Sequence, residues 1–393
     1  MTDINKIEIF PNYRLTALDL TRLLAMIMMI QGHTLDALAT PTELNVSNFP
    51  WSLWSFLRGF TAQIFLMVSG MVQVFANKRQ EDGSLSGNLI FRRVRMGIIL
   101  IIIGYMFLFP ADRIADLHYL DKKAWMPFLQ INILQLIGIS LLTVISLFTI
   151  IKNDKTLGFT ALGIALAITF LSPFNPSIQW FTYLPEGFAA YFSFEHGSIF
   201  PIFPYTAFML YGVAFGCYLK SKKPELRTDY IKIWSAPIGI LIILIGLFLF
   251  EPFRSSGFPA ELALKVNPGI IFFQVGFVLL VMALAAFIYS KTTKLAPYYA
   301  ILGKKALFIY VSHLVLIYGL PWLPGLAKTH FRQFTLFHSA LVALALIITC
   351  MGIAYAYEWT ARKYPILRKV YIYGFISAVI VFIFLGNMIS HIF

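Results

Sequence analysis

The sequence predicts an all-α membrane protein, a polytopic bundle of about eleven transmembrane helices. Of its 393 residues, 59% are apolar and only 12% are charged, about half the charged share of a soluble domain. The mean hydropathy is +0.77. A soluble fold of this length cannot bury so much apolar surface and keep a charged exterior. Soluble, fibrous and disordered classes are therefore excluded.

Eleven segments stay apolar over about the 20 residues that a spanning helix needs. They lie near 15–34, 55–76, 93–110, 127–151, 156–174, 200–219, 232–250, 268–289, 305–320, 336–358 and 371–390. Asp19, Arg22 and Arg58 interrupt the first two. The first fourteen residues lack the apolar segment of a signal peptide, so we expect no cleaved signal. No repeat or long linker divides the chain, which predicts one integral domain over residues 1–393.

The net charge of +13 would suggest a nucleic-acid partner in a soluble chain. In membrane proteins, however, cytoplasmic loops concentrate Lys and Arg. With a cytoplasmic N-terminus, the eleven-span topology places twenty-two of the 31 basic residues in inside segments and seven in outside segments. The charge pattern thus predicts a multi-pass protein of the cell (inner) membrane, in contact with lipid and not with nucleic acid.

The first apolar segment has the densest set of polar side chains. At 100° per residue, Asp19, Arg22, His33 and Asp36 fall on one helical stripe about 100° wide. Arg22 and His33 are three turns apart, about 16 Å along the axis. An Arg in a span costs about 2.5–3.5 kcal/mol and should face a polar interior with a partner. Asp19, three residues earlier, is the nearest candidate, and the pair can serve function or simply fix the helix.

His33 is the candidate general base of this stripe. Asp36 follows one turn later, and its carboxylate can accept a hydrogen bond from one ring nitrogen. Such a bond would orient the imidazole and raise its basicity, leaving the other nitrogen free to accept a proton. A histidine satisfied by hydrogen bonds at the membrane interface is the structural alternative.

Five further polar residues are candidates for an additional or donor-binding site. His313 lies in the middle of an apolar segment, where a hydrogen bond to a neighbouring helix and a functional role are both open. Glu186 and His196 belong to an outer loop and are either exposed polar residues or part of the site. Arg92 and Arg93 flank a span on the cytoplasmic side. They either orient the span or bind phosphate, whose oxygens match the guanidinium fork.

The sequence lacks the motifs that several kinds of metal, nucleotide and nucleophilic chemistry require. We find no zinc-type spacing, Walker loop, nucleotide-binding Gly pattern or nucleophile elbow, so no metal site is predicted. Cys217 and Cys350 lie in apolar segments and are expected to be core residues. Gly212 and Gly216 have the small-xxx-small spacing that permits close helix packing.

Arg22 and His33, with ten residues between them, resemble the signature pair of the integral-membrane acyltransferases that modify surface sugars. Leu18-Asp19-x-x-Arg22 and Gly32-His33-x-x-Asp36 are more similar to the bacterial relatives of heparan-α-glucosaminide N-acetyltransferase. Other stretches resemble that family in the same order, together covering about residues 14–320: Phe65-Leu-Met-Val-Ser-Gly70, Arg92-Arg-x-Arg-(x)8-Gly104-Tyr105, Asn132-Ile-Leu-Gln-Leu-Ile-Gly138, Phe200-Pro-Ile-Phe-Pro-Tyr-(x)6-Gly212-(x)3-Gly216 and Leu307-Phe-Ile-Tyr-(x)2-His313.

This resemblance implies an acyl-CoA-dependent O- or N-acyltransferase without a bound cofactor. The expected donor is acetyl-CoA, or another acyl-CoA, arriving from the cytoplasm. The acceptor would be a hydroxyl or amine on an extracytoplasmic glycan or glycolipid. Arg92 and Arg93 would hold the CoA phosphates, His33 would take the acceptor's proton, and Arg22 would hold the donor or stabilise developing negative charge.

The sequence departs from the family at a few positions. Leu23 and Tyr205 stand where the family usually has Gly and Trp. The lysosomal enzyme has Asn in place of His33 and a proposed acetyl-carrying histidine in its first outer loop, whereas residues 34–54 here contain no histidine. This favours direct transfer with His33 as base. The alternative function is a proton-coupled secondary transporter with an intramembrane Asp, Arg and His relay, although the paired broken helices of such transporters are not evident in the sequence.

Overall fold

The computed structural model describes residues 14–111, 114–254, 259–320 and 323–364, together with positions 366, 374 and 377. Within these residues the fold consists of α-helices, short 3₁₀ turns and one two-stranded hairpin. The α-helices are α1 (Thr16–Leu38), α2 (Trp51–Arg58), α3 (Thr61–Ala76), α4 (Gly87–Phe107), α5 (Lys122–Leu129), α6 (Ile133–Ile150), α7 (Asp154–Leu171), α8 (Trp180–Tyr183), α9 (Glu186–Ala189), α10 (Ile202–Lys220), α11 (Arg227–Phe250), α12 (Ala260–Val266), α13 (Pro268–Lys291), α14 (Ala296–Lys304), α15 (Ala306–Tyr318), α16 (Leu326–His330) and α17 (Leu336–Lys363).

The remaining elements are short. The hairpin pairs β1 (Gly319–Leu320) antiparallel with β2 (Leu323–Pro324). An isolated parallel bridge joins Ala39, after α1, to Phe334, before α17. The 3₁₀ turns are Ile114–Tyr119, Ser172–Ser177, Glu195–Gly197, Pro224–Leu226, Glu251–Phe253 and Thr293–Leu295.

Among the described residues, seven helical segments are long and apolar enough to cross a membrane, or eight if the bent pair α14–α15 forms one span. The seven are Trp51–Ala76, Ile133–Ile150, Asp154–Ser177, Ile202–Lys220, Pro224–Phe253, Pro268–Lys291 and Leu336–Lys363. The predicted all-α, multi-pass membrane fold is therefore confirmed. The count of eleven is not, and neither is the cytoplasmic side of the N-terminus.

The difference in count has identifiable sources. The expected spans 15–34 and 93–110 correspond to α1 and α4, which are 23 and 21 residues long but carry several charged side chains. The expected span 305–320 corresponds to α15, which follows α14 across a bend of 63°. The last expected span, 371–390, lies outside the described residues.

Ion pairs and hydrogen bonds group the helix ends on two faces of the bundle. Arg93 donates to the Ala76 carbonyl at 3.1 Å, which joins the start of α4 to the end of α3. Asp154, the first residue of α7, pairs with Arg79 after α3 at 2.7 Å and with Lys220 at the end of α10 at 2.6 Å. We call the face that holds these ends the first face and the opposite one the second face.

Helix α1 runs antiparallel to α3 through the centre of the bundle. Arg22, near its start, bonds Ser69 in the later half of α3, whereas Asp36, near its end, binds Arg58 just before α3. Every residue of α1 is buried or half-buried, and the helix contacts α3, α13, α14, α15 and α17. Its polar stripe therefore faces protein, as the cost of charge in lipid requires.

Close packing of α3 against α10 follows from small residues. A Cβ on Gly212 would overlap the Met67 carbonyl, and one on Gly216 would lie 3.0 Å from the Met71 Cα. Backbones approach this closely only where side chains are absent. The packing role predicted for Gly212 and Gly216 is confirmed, and α3 with α10 forms a wall beside the central helix.

Candidate active site

Two histidines from distant parts of the chain lie side by side near the second face. His33 is in the last turns of α1, and its ring centroid is 5.6 Å from that of His313 on α15. The His33 Nδ1 atom is 3.3 Å from the hydroxyl of Tyr318, the last residue of α15. The structure thus brings together two candidates that the sequence could only treat separately.

His313 has a defined tautomer. Its side chain is fully buried, and its Nδ1 lies 3.1 Å from the Ile309 carbonyl one turn earlier. Since a carbonyl only accepts, Nδ1 carries the hydrogen and Nε2 presents a lone pair. That Nε2 has no hydrogen-bond partner among the described residues. Buried polar atoms are rarely left unpaired without a reason, so Nε2 is a candidate acceptor for a proton from a bound ligand.

The end of α15 fixes the position of Tyr318. Gly319 follows immediately with φ +81°, a left-handed conformation that glycine adopts without steric cost. The chain then reverses through the β1–β2 hairpin. The helix therefore stops with the phenol of Tyr318 facing the edge of the His33 ring, at 84° between the ring planes.

The prediction that Asp36 orients His33 is wrong. Asp36 binds the guanidinium of Arg58, which also donates to the Gly32 carbonyl at 3.4 Å. Arg58 stacks on Trp54, with 4.9 Å from its Cζ to the ring centroid. Gly32 leaves room for it, since a Cβ there would lie 3.1 Å from the Arg58 Cδ. A permanently charged guanidinium is a better partner for a carboxylate than an imidazole, and it reaches Asp36 from the neighbouring helix α2.

We expect Arg58→Gln to lower the melting temperature modestly, because the pair is about one-third exposed and such pairs contribute less than about 1 kcal/mol. A shift of about 2 °C follows. The double variant Arg58→Gln/Asp36→Asn should recover most of it, since no carboxylate is then left unpaired. Thermal unfolding in detergent measures both, and a further drop in the double variant would contradict the pairing.

The predicted pairing of Arg22 with Asp19 is also wrong. Asp19 accepts two hydrogen bonds from Arg14, at 2.7 and 3.0 Å, the bidentate geometry that arginine and carboxylate prefer. Arg22 instead donates to the Ser69 hydroxyl at 3.2 Å and lies 6.0 Å from the Phe65 ring. Its buried Nε has no partner among the described residues. Arg22 therefore keeps donors available for a ligand.

Asp19 stabilises the packing of α1 against a neighbouring helix. It is 3% exposed and packs against Gly303 of α14, where a Cβ would lie 2.6 Å from the Asp19 Cβ. Its partner Arg14 also donates to the Ala300 carbonyl at 3.1 Å. The Asp19–Arg14 pair thus attaches the start of α1 to α14, with Arg14 in the place that the sequence assigns to Arg22.

Arg92 and Arg93 are separated by the structure. Arg93 donates to the Asn77 side chain at 2.8 Å and to the Ala76 carbonyl at 3.1 Å, so it satisfies the C-terminal end of α3. Arg92 is exposed on α4. Of the two predicted phosphate ligands, Arg92 is the one whose guanidinium has no hydrogen-bond partner among the described residues.

Glu186 and His196 form a separate cluster. The His196 Nδ1 lies 3.4 Å from a Glu186 oxygen, and its ring centroid is 3.9 Å from that of Phe181. Gln130 donates to the His196 carbonyl at 3.0 Å. In the described part of the chain, no hydrogen bond or ring contact of His196 involves His33 or His313. Glu186 and His196 therefore stabilise their own loop and do not contact the His33–His313 pair.

A polar cavity of about 450 Å³ opens on the second face, one turn of α1 beyond His33. Its charged and polar lining consists of Asp36, Asn45, Ser55, Arg58 and Arg332. Such groups suit a ligand rich in hydroxyls. Nowhere in residues 14–111, 114–254, 259–320 and 323–364 do three His, Cys, Asp or Glu side chains form a group that could hold a metal ion.

Comparison with protein families decides the assignment of the chain. A sequence model described as heparan-alpha-glucosaminide N-acetyltransferase, catalytic, matches residues 14–247, more than half of the protein. The chain belongs to this family. The heparan-alpha-glucosaminide N-acetyltransferase family indicates a membrane acetyltransferase, so the predicted transferase class is confirmed. No curated individual protein matches the chain.

The matched region contains Arg22, His33, Arg92 and Arg93 but ends before His313 and Tyr318. The region that the family model matches therefore contains the α1 side of the site, and the chain beyond residue 247 contains the α15 side. Sequence reasoning missed Tyr318, Arg58 and Ser69 as site residues. Arg58 had a usable signal, because a charge inside an apolar segment requires a partner. Ser69 lies in the family-like stretch Phe65–Gly70, but that stretch does not pair it with Arg22. A lone Tyr in an apolar segment gives no signal.

Proposed function

We propose that this protein transfers an acyl group, acetyl in the first instance, from acyl-CoA at the first face to a hydroxyl or amine of a glycan or glycolipid at the second face. The first face would be the cytoplasmic one. The observation that carries the proposal is the His33–His313 pair, at the second-face end of a central helix whose other end holds Arg22. Membership of an N-acetyltransferase family supports acetyl as the transferred group.

The proposed step is direct transfer. With a hydroxyl acceptor, His33 takes the O–H proton as the oxygen attacks the thioester carbonyl. With an amine acceptor, the neutral amine attacks and His33 takes the proton from the positively charged nitrogen of the tetrahedral intermediate. The tetrahedral intermediate collapses, the C–S bond breaks, and the CoA thiolate leaves and is protonated. The Nε2 atom of His313 supplies a second proton-accepting nitrogen in the same cluster. A positioned base of this kind contributes about 10²–10⁴ in rate.

Arg22 has a separate part in the proposal. Its guanidinium donates to Ser69, and its buried Nε has no partner among the described residues, so this N–H is available to a ligand. Arg22 would therefore hold the donor's polar groups as the acyl end approaches His33. The polar cavity beside Asp36 and Arg58 would receive the acceptor.

The test is transfer in proteoliposomes with ¹⁴C-acetyl-CoA supplied on one side. Methyl α-glucosaminide and methyl α-glucoside, supplied on the other side, separate an amine acceptor from a hydroxyl acceptor. We expect label in one of the two sugars, dependent on the protein. Label that stays in CoA with every acceptor, together with uptake of intact sugar, would favour the transporter alternative, which no observation on the described residues supports.

Arg92→Gln is expected to raise KM for acetyl-CoA several-fold with little change in kcat, because it removes binding that the ground state and the transition state share. Arg95→Gln is the matched control, since Arg95 is exposed on the same helix and its loss changes the charge equally. Steady-state kinetics with varied donor distinguishes them. Equal KM values in the two variants would mean that Arg92 contributes only to the overall positive charge of this surface and does not bind the donor.

Arg93→Gln should behave differently. Its guanidinium bonds the end of α3, so its removal leaves that helix end unsatisfied and costs about 1 kcal/mol of stability. We expect a lower melting temperature and an unchanged KM for acetyl-CoA in the folded fraction. A raised KM at wild-type stability would restore Arg93 to the donor site.

A further inference from the structure

A second cavity, of about 750 Å³, lies away from the histidine pair. It is bounded by α7 and α10 on one side and by α11 and α13 on the other, and its lining is mainly apolar, including Leu162, Ala214 and Leu279. Its lining residues belong to α3, α7, α10, α11 and α13 or directly follow α10, and none of them is on α1 or α15. Its volume is within the range of ligand-holding clefts.

The length of the cavity corresponds to one half of a membrane. Along α10 it runs from Tyr211 to Ser221, ten residues or about 15 Å, which is half of a hydrocarbon core about 30 Å thick. It opens toward lipid, since Phe159 and Leu162 on its rim are 66% and 37% exposed. A groove of this length and orientation matches one acyl chain of a single leaflet.

The first-face end of the cavity is cationic. Lys155 and Lys220 line it together with one carboxylate, Asp154. Asp154 is already paired with Lys220 at 2.6 Å and with Arg79 at 2.7 Å, so three cations meet one anion. The Lys155 ammonium has no partner among the described residues. Basic pockets between transmembrane helices at the membrane surface bind anionic lipid head groups.

We propose that this groove binds an anionic phospholipid, with one acyl chain between the helix pairs and the phosphate at Lys155 and Lys220. Charge complementarity selects the head group, and the apolar lining selects the chain. The site is independent of the acyl-transfer proposal, because neither His33 nor Arg22 contributes to it. The bound lipid would stabilise the junction between the two helix pairs.

Native mass spectrometry tests the proposal with the full-length protein and defined phosphatidylglycerol or phosphatidylcholine. We expect wild type to retain one phosphatidylglycerol in preference to phosphatidylcholine. Leu162→Trp, which fills the groove, should lose that adduct. Ala214→Phe is a second filling variant if Leu162→Trp does not fold. Equal retention of both lipids, or an unchanged adduct in a folded filling variant, would overturn the proposal.

The charge contribution has its own control. Lys155→Gln should lower the preference for phosphatidylglycerol about fivefold, as expected for one Lys near an anionic surface. Lys223→Gln removes an exposed charge at the same face but outside the cavity, and should have no effect. Displacement of the lipid by acetyl-CoA, with weaker donor binding in Leu162→Trp, would assign the groove to the donor instead and refute the lipid site.

Discussion

His33→Ala is expected to lower turnover by about 10²–10⁴, the usual contribution of a positioned general base. His33 lies beside the buried His313 and one turn of α1 before Asp36, a lining residue of the polar cavity, and we propose that an acceptor extends from this cavity to His33. The variant should still fold, because His33 is only half-buried. Acetyl transfer at saturating donor and acceptor measures the loss.

Two further variants test whether the loss of turnover is specific to His33. His118→Ala removes an exposed histidine from the loop turn Ile114–Tyr119 and should leave turnover unchanged. Tyr318→Phe keeps the ring but removes the hydroxyl 3.3 Å from His33 Nδ1, so we expect a loss of about tenfold, the worth of one hydrogen bond. A folded His33→Ala protein with near-native turnover would mean that the base lies elsewhere.

The membrane class and the inward face of the first helix could be predicted from the sequence. The first follows from the free-energy cost of exposing apolar side chains to water, and the second from the cost of exposing charged side chains to lipid. An Arg at position 22 of an apolar segment must face protein, and α1 is indeed surrounded by other helices. The same argument places Asp36 and His33 inside, on one stripe. Helical periodicity and transfer free energies suffice for this part.

The partners of those side chains could not be predicted. Helical spacing pairs Asp19 with Arg22 and Asp36 with His33, because a sequence shows only neighbours on the same helix. In the folded protein, Arg14 and Arg58 bind them with full charge and better geometry. Helix packing decides which of several arginines reaches a given carboxylate, and the periodicity of the sequence does not predict that packing.

The approach of His313 to His33 depends on the path of α14 and α15. The 63° bend between these helices directs α15 toward the end of α1, and Gly319 ends it after Tyr318. The sequence pattern predicts α15, as the span 305–320, but neither α14 nor the bend, and in the structure both helices contact α1 and α17. The pairing of the two histidines is therefore a tertiary property.

His313→Asn is expected to lower turnover by about 10² while preserving the fold. The asparagine amide can still donate toward the Ile309 carbonyl, as Nδ1 does at 3.1 Å, but it offers no nitrogen that accepts a proton at the position of Nε2. A role in packing alone would lower the melting temperature and spare turnover in the folded fraction. Measuring both quantities on the same preparation separates the two roles.

The double variant His33→Ala/His313→Asn decides whether the histidines act as one unit. Groups that share a single proton-transfer step have strongly non-additive effects. Because the ring centroids are 5.6 Å apart, we expect the double variant to be no slower than His33→Ala alone within about threefold. Losses that multiply would show that the two imidazoles serve separate steps. Native turnover in a folded His313→Asn protein would leave His33 as the base and reduce His313 to a buried packing residue.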